Sequence, residues 1–294
     1  MQFFRFWARG TENINTPDGQ KNFTAYGFSN ESVEDALRVA HERALANANA
    51  RGRTHSSDQQ YYANNVPLRE EIIQELVAAD NEKVVISRNK YGCLVLNTPH
   101  VFFADIDKPA RTSSEENPLA TVVGFFQNLF GGNEPDTKEP EDSFENGVIE
   151  KIEQLINQHH GMIIRLYRTS NGFRAMIMNE TIPCQLAKSH QLLNAFGSDE
   201  LYVSLCRSQD CYRARLTPKP WRCGMRQHNT RYPFLNQSEQ DRFLQWQADY
   251  EKRSVNFATC ALIGNFGNGV VDQTCQQIAE VHDTYALNGN LPLA

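Results

Sequence analysis

The chain has 294 residues and a formal net charge of −6, with 40% hydrophobic and 22% charged residues. That balance supports a packed core, excludes wholesale disorder and argues against a surface coated in nucleic acid, while leaving room for a local basic groove. No run approaches eighteen consecutive apolar residues, so no membrane association is expected, and the opening MQFFRFWARGTEN lacks the long apolar centre of a secretion signal; the expected location is cytoplasmic.

Residues 1–8 and 22–28 have the apolar and aromatic content of strands, separated by the turn-rich TPDGQ. A helix is predicted over 29–49: Ser29 or Asn30 caps it, acids fill its first turns, and Val33, Leu37, Ala40, Ala44 and Ala48 recur at helical spacing. Pro67 opens a second predicted helix, LREEIIQELVAA, with Leu68, Ile72, Leu76 and Val77 on one face. Residues 84–87 and 91–97 flank the turn-like 88–90 as a hairpin, and 100–107 forms the next strand. Residues 110–147 read as an acidic flexible insertion, with one short helix expected in LATVVGFFQNLF. A helix over 148–159 follows, then a hairpin of 162–169 and 172–178 turning at Asn171-Gly172. Helices are expected over 187–196 and 200–206, an extended segment over 212–217, and closing helices over 237–253 and 270–287.

Strands alternating with helices predict an α+β fold, a mixed and mostly antiparallel sheet covered by helices. The expected organisation is a single domain over 1–294 or, divided further, an N-terminal subdomain over 1–82 and a core over 83–294.

Three stretches carry candidate chemistry. The first is HVFFADIDKP. Alternate strand residues face one side, so Asp105 and Asp107 project together, about 6–7 Å apart at Cα. Carboxylates this close repel unless a cation or a shared proton lies between them, and Mg²⁺ or Mn²⁺ is the natural ion for such oxygens. The plainer alternative is a strand end that opens a solvated turn.

The second stretch is RLYRTSNGFRAMI, where Arg165, Arg168 and Arg174 surround a tip carrying Thr169, Ser170 and Gly172. Backbone amides, hydroxyls and guanidinium groups make a phosphate cradle. The third is RSQDCYRARLTPKPWRCGMRQH, with Arg207, Arg213, Arg215, Lys219, Arg222 and Arg226 against Asp210, and Tyr212 and Trp221 among them. Cations mixed with rings suit phosphates and stacked bases. Alternatively, Arg213 or Arg215 pairs with Asp105 or Asp107.

Seven cysteines, an odd number, do not read as a disulfide framework. Cys206, Cys211, Cys223 and His228 could bind zinc, but the loose Cys-x4-Cys spacing argues against it. A nucleophilic cysteine working with His159 or His160 has no local signature. No Walker loop, Gly-x-Gly-x-x-Gly turn or Gly-x-Ser-x-Gly elbow occurs.

A hydrophobic strand ending in Asp-x-Asp, then a hairpin with Thr-Ser-x-Gly, then a basic segment resembles the archaeo-eukaryotic primase superfamily. Phe103–Pro109 is similar to its metal-binding motif and Arg168–Arg174 to its nucleotide-contacting hairpin, with Arg174 where that family usually has histidine. The resemblance implies a divalent metal on Asp105 and Asp107, Arg174 as a catalytic residue, and a later acid completing the metal site, with Asp199 and Asp210 as candidates. PLREEIIQEL and RARLTPKPWR also look similar to segments of an uncharacterised bacterial protein family.

The leading expectation is a metal-dependent nucleotidyl- or phosphoryl-transfer enzyme acting on nucleotides or nucleic acid. Asp105 and Asp107 hold the ion; Arg168, Thr169, Ser170 and Arg174 hold polyphosphate; Arg213, Arg215, Lys219 and Arg222 offset developing charge or grip a template. The alternatives are a non-catalytic RNA- or DNA-binding protein and a structural protein stabilised by buried ion pairs.

Overall fold

The computed structural model describes residues 1–16, 19–49, 67–109 and 141–294. Strands β1 (Phe6–Thr16) and β2 (Gly19–Ser29) form a long antiparallel hairpin that extends well beyond the apolar residues from which it was predicted. Helix α1 (Val33–Asn49) lies against it. Its cap is Ser32, whose hydroxyl accepts from the Asp35 N–H at 3.0 Å, in place of the expected Ser29 or Asn30.

The buried face of α1 is Ala36, Ala40 and Ala44, while Val33 and Leu37 are exposed, so the helix is rotated from the face its larger apolar residues suggest. Close approach explains the rotation. A β-carbon on Gly27 would stand 2.0 Å from the Ala36 carbonyl oxygen, and one on Gly10 2.8 Å from the His41 nitrogen. Small residues on both partners are what let hairpin and helix touch.

Strands β3 (Glu71–Val77), β4 (Lys83–Arg88) and β5 (Leu94–Thr98) form an antiparallel sheet with β9 (Tyr212–Arg215), in the order β3-β4-β5-β9. Strands β6 (Phe103–Asp107), β7 (Ile164–Thr169) and β8 (Gly172–Ile177) form a second with β10 (Cys260–Phe266), in the order β10-β7-β8-β6. The helices that follow α1 among the described residues are α2 (Glu141–Gln158), α3 (Ala187–Phe196), α4 (Glu200–Gln209), α5 (Gln237–Ser254) and α6 (Gln273–Ala286). The α+β fold is therefore as expected, with its antiparallel strands divided among three sheets.

Two elements differ in kind from the sequence reading. The segment LREEIIQELVAA contains strand β3, not a helix. Its Ile72, Ile73 and Val77 suit a strand, and pairing with β4 overrides the helical spacing of its apolar residues. With Glu71 and Glu75 it makes a charged edge, which discourages stray pairing. Strand β10 was not anticipated; it is a short apolar run with an irregularity between Leu262 and Gly264 that blurs its period. Of the expected insertion, 110–140 lies outside the described residues, including the segment for which a short helix was expected, and 141–147 is the start of α2.

The core is built from the two four-stranded sheets and α2, α3, α4 and α6, with Phe102 packed on Tyr212 and Phe196 at centroid distances of 5.2 and 5.4 Å. The opposite face of the β3-β4-β5-β9 sheet carries a polar network. Glu70, 1% exposed, accepts both 2.8 Å bonds from Arg213 and a 2.5 Å bond from the Ser87 hydroxyl, which in turn accepts from Asn97 at 2.9 Å. These groups tie the residue before β3 to β4, β5 and β9. Arg213→Met would leave the Glu70 carboxylate buried without its cation and is expected to cost roughly 3–5 kcal/mol in chemical denaturation, with much of the loss recovered in the Glu70→Leu/Arg213→Met double variant. A single-variant loss below about 0.5 kcal/mol would disprove the pair's structural role.

Candidate functional site

Strand β6 carries its acids out of the core. Phe103, Ala104 and Ile106 are buried, Asp105 is half-buried and Asp107 is exposed at the end. The strand is held at that position by the β7–β8 turn. Asp107 lies opposite Gly172, where a β-carbon would stand 2.0 Å from the Ile106 carbonyl oxygen, so no larger residue fits without moving β6. Asn171 accepts from the Lys108 N–H at 3.0 Å through its carbonyl, and its amide donates to Asp107 Oδ1 at 3.4 Å. The Ser170 hydroxyl, on the same tip, is buried without a hydrogen-bond partner.

Asp107 is pushed up to about 6, by loss of solvent first and then by the carboxylates of Asp105 and Asp199, with Lys219 and Asn171 opposing. Asp199 donates its N–H to the Asp105 carbonyl at 2.9 Å, and its own carboxylate caps α4 through the Tyr202 N–H at 2.9 Å. Asp210, the other candidate third acid, ends α4 in a left-handed conformation, about 15 Å away by helix rise.

The basic side comes from β9 and the loop after it. Lys219 is pushed down to about 8 by burial, then by Arg215 and Arg222, while Asp107 and Asp105 draw it partly back. Arg222 falls to about 10 for the same reasons in the same order, burial and then Arg215. The loop is fixed from beneath: the buried Tyr250 hydroxyl lies 2.6 Å from the Pro218 carbonyl and 2.9 Å from the Thr217 hydroxyl. A 3-10 turn over Pro220–Cys223 then presents Trp221 and Arg222. Trp221 meets Tyr91 edge to face at 5.4 Å, with Lys219 5.4 Å from one ring and Lys90 5.2 Å from the other.

Two connections join the acidic and basic sides. The Tyr202 hydroxyl donates to the Phe103 carbonyl at 2.9 Å and accepts from the Arg213 N–H at 3.3 Å, linking β6 to β9. Arg174, opposite Asp105 on β8 and 3% exposed, donates to the Arg215 carbonyl at 2.9 Å and to His282 Nε2 at 2.9 Å. His282 Nδ1 then donates to Asp283 at 2.9 Å, and Asp283 also accepts from Tyr167 and Arg165. Burial, aided by Arg174, pushes His282 down to about 4, so the ring is neutral. Burial alone would raise Asp283, but the bonds from His282, Tyr167 and Arg165 outweigh it and hold the carboxyl below its usual range.

Of the sequence-predicted residues, Asp105, Asp107, Arg215, Lys219 and Arg222 come together, beside the turn carrying Ser170. Thr169 is largely buried at the base of that turn. Arg168 points to Glu145 on α2. Arg174 lies beside Asp105 on the same face of the sheet, buried and turned to the Arg215 carbonyl and His282. Arg213 pairs with Glu70 and not with either aspartate. Among the described residues no three His, Cys, Asp or Glu side chains gather closely enough to enclose a metal ion. An ion on Asp105 and Asp107 would therefore keep most of its coordination for water and ligand, and a Mg²⁺ or Mn²⁺ site of this open kind fits two repelling carboxylates.

All seven cysteines are buried free thiols, whereas His159 and His160 are exposed beyond the end of α2. Cys260 lies 4.0 Å from His282 Nε2, but burial pushes its thiol up to about 11 and leaves it inert. Sequence reasoning missed Tyr202, Tyr91 and His282, none of which has a neighbouring motif. Among the described residues no helix is long and apolar enough to cross a membrane. No protein-family model, curated protein or solved structure matches the chain.

The raised Asp107 has a thermodynamic signature. Its unfolded carboxyl titrates near 3.9. The stabilisation from its retained proton is complete below about pH 4 and is lost as pH rises through about 6. Asp107→Asn should therefore be more stable than the native chain at pH 7 by less than about 1 kcal/mol after solvent screening, or about 1–3 °C in midpoint, and indistinguishable from it at pH 4. A lower midpoint for the variant at pH 7 would contradict the repulsion.

Proposed function

We propose that the chain is a metal-dependent phosphoryl- or nucleotidyl-transfer enzyme acting on nucleotides or nucleic acid. The observation that carries this reading is the meeting of the Asp105/Asp107 pair with Lys219, Arg222 and Arg215 across the edges of two sheets. Opposite charges left adjacent but not fully paired suit a ligand that brings both signs, such as a phosphate chain with its divalent ion. Asp105 and Asp107 would hold Mg²⁺ or Mn²⁺, and the bound ion would supply Lewis acidity toward a phosphate oxygen.

The protein's own groups supply the rest. Lys219 and Arg222, depressed by burial and then by Arg215, regain favourable charge when an anion arrives, so they bind phosphate oxygens and neutralise charge that grows during transfer. The Ser170 hydroxyl and the Arg215 Nε, both buried without partners, are further donors near the same place. Arg174 acts as a positioning residue, fixing the carbonyl of Arg215 beside Asp105. The resemblance to the primase superfamily supports the same reaction class.

A second reading, non-catalytic RNA or DNA binding, is favoured by the Tyr91–Trp221 shelf with its lysines, since ring faces and cations together hold single strands. It predicts binding that falls steeply with salt and needs no metal.

Mn²⁺ binding followed by electron paramagnetic resonance separates them. Asp105→Asn and Asp107→Asn are each expected to weaken Mn²⁺ at least about tenfold, and native affinity should fall as pH drops through about 6, where Asp107 takes up its proton. A thermal-shift screen of nucleoside triphosphates should show stabilisation that requires Mn²⁺ and is lost in both variants. Unaltered Mn²⁺ binding in the two variants would eliminate the transfer reading.

A further inference from the structure

An arginine and an aspartate stand side by side at the acidic pair and do not bond. Arg174 is the register partner of Asp105, so the two side chains leave the sheet on the same face, with β-carbons about 4.5–5.5 Å apart. An arginine side chain spans such a gap, and its planar fork matches a carboxylate. Yet the Asp105 carboxylate forms no ion pair among the described residues. Arg174 Nη1 is given instead to the Arg215 carbonyl and to His282 Nε2, each at 2.9 Å.

The imidazole that holds Arg174 is fixed by its own neighbours. His282, on α6, is fully buried, with its ring 5.6 Å from that of Phe103 and 4.7 Å from that of Tyr167 by centroid. Its partners set its hydrogen. A guanidinium nitrogen only donates, so Nε2 is the acceptor, and Nδ1 carries the hydrogen that goes to Asp283 at 2.9 Å. Asp283 is in turn engaged by Tyr167 at 2.7 Å and Arg165 at 2.6 Å. Tyr167 is the register partner of Arg174 on β7, as Asp105 is on β6. Arg174 thus has an acid on one side and a closed hydrogen-bonded chain on the other, and the chain holds it.

We propose that His282 is a positioning residue for the cation site. By accepting from Arg174 it keeps the guanidinium off the Asp105 carboxylate, and so leaves that carboxylate open to a divalent ion. Without the imidazole acceptor, Arg174 turns to the acid beside it and competes with the ion for its oxygens. The inference rests on the reading of Asp105 and Asp107 as ligands of the ion. It adds to them a residue that bonds to neither.

Mn²⁺ binding by electron paramagnetic resonance tests it, on variants that keep native circular dichroism. His282→Phe keeps a ring beside Phe103 and Tyr167 but offers no acceptor, and is expected to weaken Mn²⁺ roughly tenfold. His282→Gln, whose amide oxygen can still accept, should bind within about threefold of native. The double variant His282→Phe/Arg174→Met should recover native affinity, because the competing cation is gone; a role confined to packing would leave it as weak as His282→Phe. A second readout needs no metal. In EDTA, Asp105→Asn should lower the melting temperature of His282→Phe, by removing the new ion pair, but not that of the native chain. Native Mn²⁺ affinity in His282→Phe, no recovery in the double variant, or an equal response to Asp105→Asn in both backgrounds would overturn the assignment. Should the native chain bind no Mn²⁺, the metal reading fails on its own, and the melting comparison in EDTA still decides whether His282 restrains Arg174. His282→Leu replaces His282→Phe in every arm if the larger ring does not fold.

Discussion

Two sheet edges that do not hydrogen-bond to each other as a ladder are nevertheless brought together, and the candidate site depends on that junction. Strand β6 ends one sheet and β9 ends another. Tyr202 spans them with one hydroxyl that donates to one backbone and accepts from the other, and Arg174 reaches from β8 to the β9 carbonyl of Arg215. A buried tyrosine whose hydroxyl both gives and receives is fully satisfied, so the link carries little desolvation penalty. Burial also keeps that hydroxyl protonated, which preserves it as a donor at any physiological pH. Without these links, the acids of one sheet and the cations of the other would have no reason to face each other.

The electrostatics of the site follow from this arrangement. The β6 strand contributes negative charge at its end, and the loop after β9 contributes positive charge; neither set is buried deeply enough, nor paired closely enough, to be neutralised. Asp107 rises and Lys219 falls, the pattern of charged groups held in partly desolvated company. By contrast, Glu70 with Arg213 and Asp283 with Arg165 are closely paired, at 2.8 and 2.6 Å, and serve to fix strands and helices in place. The same residue types thus divide into a closely paired set and a set with shifted protonation, and proximity of the partner decides which.

Local signals in the sequence were sufficient for much of this. The β7–β8 turn was legible because Asn171-Gly172 has turn chemistry, and the direction of Asp105 and Asp107 was legible because a strand repeats every two residues. The basic segment 207–222 stood out by charge alone. What sequence could not supply was the partner of each charge. Arg213 and Arg215 look equivalent, two residues apart on one strand, yet Arg213 is bound to Glu70, 143 residues earlier, while Arg215 lies beside Lys219 and Arg222. The misread β3 has the same origin: its apolar spacing fits a helix and a strand alike, and contact with β4 decides. Strand β10 and the His282 relay were missed because each acquires its role only when distant segments meet.

The neutral imidazole of His282 has a consequence for how the molecule meets acid. In the unfolded chain this ring would accept a proton near 6.5, but in its buried place it refuses one until about 4. Acidification across that interval therefore favours unfolding through His282, while it relieves the crowded carboxylate at Asp107. The two responses oppose each other in overlapping ranges, one from the interior and one from the mouth of the same structure. A bulk melting curve measured against pH can consequently look level while both groups change their protonation, and only resonances of the individual side chains would reveal the exchange.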